Sequence, residues 1–150
     1  MRVRPIQPDD RDDWLRMRSA LWPDEPEIEL ASEVDAFLQG GEPEATGLSA
    51  VFVSETGSGQ RTGFLELFVR NYAEGCVGPA PYVEGWYVEP ALRGSGVGRA
   101  LVGAAEEWAG QHGFSELASD TQLENEASQR VHEALGFEEV ERSVHFRKTL

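Results

Sequence analysis

Trp86-Tyr87-Val88-Glu89-Pro90-Ala91-Leu92-Arg93-Gly94-Ser95-Gly96-Val97-Gly98-Arg99 is the stretch that decides the fold. Tyr, Val and Trp favour a pleated surface, so Tyr82 to Val88 is predicted as a strand. Glu89-Pro90 breaks it, and a basic, glycine-dense loop opens a helix marked by Val97, Leu101, Ala104, Ala105 and Trp108. Glycines carry no Cβ, so several backbone N–H groups can converge. The first N–H groups of the helix have no internal partner, and its dipole end is positive. Together they form a cradle for a diphosphate, to which Arg93 and Arg99 add fixed positive charge. A P-loop would end in Gly-Lys-Ser/Thr, whereas this loop ends Val97-Gly98-Arg99. A dinucleotide fingerprint needs a glycine where Arg99 stands and a parallel βαβ unit early in a longer chain. A glycine-rich turn with no ligand is the bland alternative.

Outward from this motif the chain alternates short elements. Arg2 to Ile6 is a strand candidate, and Pro8-Asp9-Asp10 starts a helix with Trp14, Leu15, Arg18, Leu21 and Trp22 at helical spacing, ended by Pro23. A second helix carries Ile28, Leu30, Val34, Phe37 and Leu38, and Gly40-Gly41 stops it. Leu48 to Ser54 and Gly63 to Val69 pair as strands across the turn Thr56-Gly57-Ser58-Gly59, and Asn71 to Pro81 is loop-like. The helix after the motif ends near His112-Gly113. A short strand is expected at Phe114 to Ser119, a helix from Asn125 to Gly136, and one or two strands in Val140 to Thr149. The order β-α-α-β-β-β-α-β-α-β predicts one domain over residues 1–150 of α+β (mixed α/β) class, with a mixed, mostly antiparallel central sheet flanked by helices.

Bulk numbers narrow the partners. A chain of 150 residues fits a single core. With 27 acidic against 13 basic residues the net charge is −14, a field that repels nucleic acid and anionic membranes and attracts cations. The N-terminal sequence has no apolar core of a signal peptide, and no run approaches the roughly 18 apolar residues of a membrane span. One cysteine, Cys76, excludes an internal disulfide. A cytoplasmic protein is expected.

Arg93-Gly94-Ser95-Gly96-Val97-Gly98 resembles the acetyl-CoA pyrophosphate loop of GNAT acetyltransferases, Gln/Arg-x-x-Gly-x-Gly/Ala, and Asn125…His132…Leu135-Gly136-Phe137 looks like that family's second segment. The resemblance implies the GNAT fold and acetyl-CoA as co-substrate. It implies that Trp86, Tyr87 and Val88 bind the pantetheine arm through their backbone, and that the Val88 N–H, at a strand bulge, polarises the thioester carbonyl. It further implies that residues Arg93, Gly94, Ser95, Gly96, Val97, Gly98 and Arg99 hold the diphosphate, and that Asn125 touches the cofactor. More closely, Asp13-Trp14-Leu15…Leu21-Trp22, Tyr87-Val88…Pro90 and Ala118-Ser119-Asp120 resemble a dimeric subgroup of aminoglycoside 6′-N-acetyltransferases. By that likeness Trp22, Tyr72, Glu84, Asp120 and Glu141 line a pocket for a polycationic aminoglycoside, and the chain is a homodimer. Strand exchange through Val140 to Thr149 is one route to it.

Amine acetylation requires removing a proton from an ammonium, stabilising an oxyanion and protonating a thiolate. Glu84 lies four residues before Val88, so strand alternation puts both side chains on one face. Asp120 lies just beyond the Phe114 to Ser119 strand, and Glu74 sits in the loop entering Tyr82. Glu84 and Asp120 are therefore the candidate catalytic carboxylates. Acids and aromatic rings suit a cationic sugar through charge complementarity and cation–π contact. His132 stands where many GNAT enzymes have a tyrosine general acid. It either protonates the thiolate or is a hydrogen-bonded, buried histidine; the second is preferred, with water as the acid. Cys76, in acidic surroundings, is expected to be unreactive. His112, His132 and His145 are scattered, so no metal site is expected. Acetylation of polyamines or protein amines, and a non-catalytic acyl-CoA-binding module, are the alternatives.

Overall fold

The computed structural model describes residues 1–41 and 47–150. Strand β1 (Arg2–Pro5) leads through a 3-10 turn at Pro8–Asp10 into helix α1 (Arg11–Leu21), and helix α2 (Glu27–Leu38) follows. Strands β2 (Ala50–Glu55), β3 (Arg61–Arg70) and β4 (Ala80–Val88) precede helices α3 (Val97–Gln111) and α4 (Glu126–Ala134). The four strands form one sheet in the order β1-β2-β3-β4, each neighbouring pair antiparallel. The β2–β3 hairpin closes where expected: the Thr56 N–H donates to the Gln60 carbonyl at 2.9 Å, and Gly59 takes φ of 84°.

The sheet is covered on both faces, which is why its strands are almost continuously apolar. Helix α3 packs Val97, Leu101, Val102 and Ala105 against Phe52, Leu65, Leu67 and Val83. On the other face Trp14 and Met17 of α1 and Val34 of α2 meet Val51, Val53, Phe64 and Tyr87. Full burial of each large apolar side chain stabilises by about 1.5–3 kcal/mol.

Two buried ion clusters stitch these layers together. Asp10 accepts from Arg4 of β1 (2.7 and 3.0 Å), from Arg61 of β3 (2.7 Å) and from the Gln7 N–H (2.8 Å). Arg18 of α1 donates to Glu66 of β3 (2.7 Å), to Glu33 of α2 (2.6 Å) and to the Leu30 carbonyl (3.0 Å). Trp14 gives its indole N–H to the same Glu66 at 2.8 Å.

Three expectations are corrected. The strand expected at Phe114 to Ser119 is reduced to one parallel bridge, Tyr82 to Ala118. Two hydrogen bonds make it, from Val83 N–H to Ala118 O and from Ala118 N–H to Pro81 O, both 2.9 Å. Upstream the next bond of this ladder would need an N–H on Pro81, which proline lacks, and downstream β4 bulges just beyond the bridge. The register passes from Leu67–Val83 to Glu66–Gly85 and Leu65–Trp86, which leaves Glu84 as the extra residue of a bulge. That bulge is the second correction, because it interrupts the alternation counted from Glu84 to Val88. Val83, Trp86 and Val88 share the α3 face, while Tyr87 lies on the α1 face. The bulge stands at Glu84, with the ladder regular through Val88. Third, Val140 to Thr149 holds no strand: its composition suits one, but it lies beside no strand of this chain.

Candidate active site

The β4–α3 connection has the form its sequence requires. Pro90–Leu92 is a single 3-10 turn, and Gly94 and Gly96 take φ of 80° and 96°, where side chains are strained. A Cβ at either glycine would meet open space, so no neighbouring side chain crowds the loop at these positions. Gly96 caps α3 with no side-chain bond, and the first N–H groups of the helix have no partner within it. Gly98 has another reason to be glycine: a Cβ there would lie 3.2 Å from the Trp86 ring. Arg93 does not wait idle for an anion; its Nε–H donates to the Val88 carbonyl at 2.9 Å and ties the loop to β4. Arg99 is exposed on the first turn of α3.

The adjoining edge of β4 is also prepared. The Glu89 N–H donates to the Thr62 carbonyl at 2.9 Å, which makes Thr62 and Glu89 a hydrogen-bonded pair of the ladder. By antiparallel alternation, Val88 and Trp86 then turn their N–H and C=O groups away from β3. The Val88 carbonyl is taken by Arg93, which leaves the Trp86 groups for an extended ligand arm and the Val88 N–H for a carbonyl beside it. A glycine-rich loop at a helix N-terminus followed by a free strand edge fits a diphosphate carrying a pantetheine thioester.

Beyond the Tyr82–Ala118 bridge, β4 and the 118–120 segment diverge, and the candidate acids stand at this opening. Arg70, at the end of β3, grips Glu84 with a two-pronged fork at 2.9 and 3.0 Å. The same guanidinium lies 3.6 Å from the centre of the Tyr82 ring. Tyr82 donates its hydroxyl to Asp120 at 2.9 Å. Burial, then the Asp120 bond, pushes the Tyr82 hydroxyl well above the usual phenol range, so it remains a donor. Arg70, Glu74, Tyr82, Asp120 and Glu141 all line one cleft of about 1510 Å³. That exceeds the roughly 300–1,000 Å³ of ordinary small-molecule pockets.

Not every expected residue lies in it. Glu84 joins the cleft through Arg70. Trp22 sits on the α1 face of the sheet, edge-on to Phe64 at 6.4 Å and so close to Gly85 that a Cβ there would come within 2.7 Å of its ring. Tyr72 stands in the loop after β3 with 73% of its surface exposed. Asn125 uses its side-chain oxygen to cap α4, accepting the Ser128 N–H at 3.1 Å.

His132 is hydrogen-bonded as expected, but half-buried rather than buried. Its Nδ1 faces the Ser128 carbonyl at 2.7 Å, which can only accept, so Nδ1 carries the proton. Nε2 is hydrogen-bonded to the Ser119 hydroxyl at 2.8 Å. The ring is held edge-on by Trp86 and Phe137 at 5.5 and 5.2 Å. Burial and the carboxylates of Glu116 and Glu74 raise the Cys76 thiol above its ordinary value, as its surroundings suggested. Among the described residues no group of three or more His, Cys, Asp or Glu converges as metal ligands.

Sequence inspection missed Arg70, Tyr82 and Ser119. The signal for the first was available: pairing Gly63–Val69 with Tyr82–Val88 brings the end of β3 beside the start of β4, and so a cation beside Glu84.

Comparison with known proteins agrees with this geometry. The model of the acetyltransferase (GNAT) family matches residues 14–137. The chain is 47% identical over 149 residues to an aminoglycoside N(6')-acetyltransferase type 1 of Klebsiella aerogenes, covering 99% of this chain and 96% of that protein. It superposes with a TM-score of 0.87 and 34% identity on AAC(6')-Iy in complex with the bisubstrate analogue CoA-S-monomethyl-acetylneamine, covering 99% and 98% of the two chains. The aminoglycoside 6'-N-acetyltransferase AAC(6')-IG of Acinetobacter haemolyticus gives a TM-score of 0.82 at 34% identity, covering 100% and 99%. With a glycine-rich anion cradle, a free strand edge and matches of this extent, the chain belongs to the GNAT family of acetyltransferases.

Proposed function

We propose that this protein transfers acetyl from acetyl-CoA to the 6′-amine of aminoglycosides, so conferring resistance to them, as a cytoplasmic homodimer. The observation that carries the acceptor assignment is the array Glu84–Arg70–Tyr82–Asp120 at the opening beside β4, in a roomy cleft with further acids. The names of its relatives at 47% and 34% identity support the same substrate class.

The chemistry follows from position. The carboxylates draw a cationic amino sugar into the cleft and accept the proton its ammonium must lose, directly or through water. The freed amine attacks the thioester carbon, and the Val88 N–H stabilises the oxyanion that forms. Residues 93–99 hold the diphosphate and the β4 edge aligns the arm, which fixes the reacting carbon relative to the acids. His132 is engaged by Ser128 and Ser119 through its two ring nitrogens, so the departing thiolate takes its proton from water.

The homodimer assignment rests on the C-terminal segment, where Val140, Val144 and Phe146 are exposed, Phe146 by 93%. A second copy pairing with this segment would cover them. Sedimentation of the purified chain should give twice the monomer mass, and Phe146→Ser should lower it.

Thiol release from acetyl-CoA, measured with a panel of aminoglycosides, polyamines and basic peptides, tests the function. Turnover confined to aminoglycosides supports it. Preference for polyamines or peptides would reassign the acceptor, and coenzyme A binding without turnover of any amine would leave a binding module.

A further inference from the structure

We propose that Arg70 is a positioning and specificity residue of the acceptor site, a fixed guanidinium that keeps the incoming amine neutral beside the carboxylates that recruit it. It rests on the aminoglycoside assignment above and deepens it.

A cleft that only attracts cations works against its own reaction. Carboxylates around an ammonium favour the charged form and so retain the proton that must leave before nitrogen can attack. The groups facing this cleft are largely of that kind. Glu74 and Cys76 belong to the loop after β3, Tyr82 to β4, Glu106 to α3, Glu116, Asp120 and Glu124 to the segment between α3 and α4, Glu133 to α4, and Glu138, Glu139 and Glu141 to the C-terminal segment, with Glu84 held just behind. The other cations and titratable bases on its walls are Arg142, His132 and His145. Arg142 is already paired with Glu139, and His132 is spent on Ser128 and Ser119. Arg70 alone stands between the two candidate catalytic acids.

Its geometry is that of a fixed charge rather than a loose counter-ion. Two parallel N–H bonds fasten it to Glu84, and stacking at 3.6 Å fastens it to Tyr82, whose hydroxyl in turn holds Asp120. A planar fork so constrained does not drift away when another cation arrives. A carboxylate offers about four lone-pair sites, so Glu84 can hold Arg70 and still accept a bond from the substrate. The incoming nitrogen then meets an acid for orientation and a cation for deprotonation, and a single-charge amine gains less than a polyamine that reaches the outer acids.

Two measurements on the intact protein test this. Titration calorimetry with neamine, in buffers of different ionisation enthalpy, counts the protons released on binding. Arg70→Gln should release fewer than the parent. The pH profile of kcat for neamine, which reports ionisations in the enzyme–substrate complex, should move its acid limb upward by about one unit in Arg70→Gln, a roughly tenfold loss at pH 6 that shrinks to less than threefold on the alkaline plateau. Arg70→Lys, which keeps the charge, should keep the parent limb. A loss of equal size at every pH, unchanged proton release, or a lysine variant no better than glutamine would overturn the proposal. Should the glutamine variant fail to fold, judged by coenzyme A binding, the lysine profile decides alone: a parent-like limb supports the charge role and a displaced one refutes it. A parent enzyme that acetylates no aminoglycoside would instead refute the function on which this rests.

Discussion

Glu84 and Asp120 occupy unequal surroundings, and the inequality assigns them different work. Glu84's negative charge is already matched by the Arg70 fork, whereas Asp120 is met by a neutral phenol. A carboxylate committed to a guanidinium is better suited to orient a substrate than to carry off its proton. Asp120→Asn should therefore lower kcat by about 10²-fold, the usual share of a general base, with little change in KM. Glu84→Gln should act mainly on KM, by about tenfold, because it weakens a charge-assisted contact worth about 1.5 kcal/mol. Steady-state kinetics with neamine separates the two, and equal kcat losses would reject the division. The loop glycines make a sharper case. Gly96 holds φ of 96° at the mouth of the cradle, so Gly96→Ala costs about 1–2 kcal/mol of backbone strain and should weaken coenzyme A binding about tenfold by calorimetry.

At the scale of elements, Asp10 joins β1, the turn before α1 and β3, and reaches β2 because Arg4 also pairs with Glu55 at 2.9 Å. Burial pushes this carboxyl up, but the bonds from Arg4 and Arg61 outweigh it and hold it down to about 2. A carboxyl whose folded pKa lies below its unfolded value stabilises the fold above that unfolded value, near 3.8, and the benefit fades as pH falls toward 2. The shift corresponds to about 2 kcal/mol. The melting temperature should thus fall between pH 4 and 2, and Asp10→Asn should be less stable by about 3 kcal/mol at pH 7 yet flatter across that acid window. None of this was legible locally, since Arg61 lies 51 residues from Asp10, just as Glu66 lies 48 from Arg18. What was legible were features coded by neighbours: the Thr56–Gly59 turn, the α3 stripe from Val97 to Trp108, and the Gly94 and Gly96 cradle. Phe114–Ser119 and Val140–Thr149 have strand composition too, but a strand exists only where a partner lies alongside. Pro81, with no N–H, stops the pairing of the first on one side of its bridge and the bulge at Glu84 stops it on the other, while the second pairs with no strand of the four-stranded sheet. The same bulge hid the position of Glu84, because alternation counts residues and cannot count an insertion.

The molecule as a whole presents its two substrates with opposite problems. A surface of net charge −14 attracts an aminoglycoside and repels acetyl-CoA, for whose phosphates the backbone amides and arginines of residues 93–99 offer a favourable landing. Salt should consequently act in opposite directions on the two. Screening shortens the reach of the field to about 10 Å at 0.1 M. Raising ionic strength should reduce kcat/KM for neamine about tenfold while leaving that for acetyl-CoA unchanged or increased. Two explanations of such a fall differ in which rate constant moves. If the whole-surface field steers the substrate, stopped-flow binding should show a slower association with dissociation nearly constant. If only the contacts inside the cleft matter, dissociation should quicken instead. Neutralising distant acids such as Glu25 and Glu29, exposed on the α1–α2 side, completes the test: under steering they lower the association rate although they touch nothing in the cleft. An unchanged rate in that variant would confine the electrostatics to the acids that line the cleft, with Glu84 behind them.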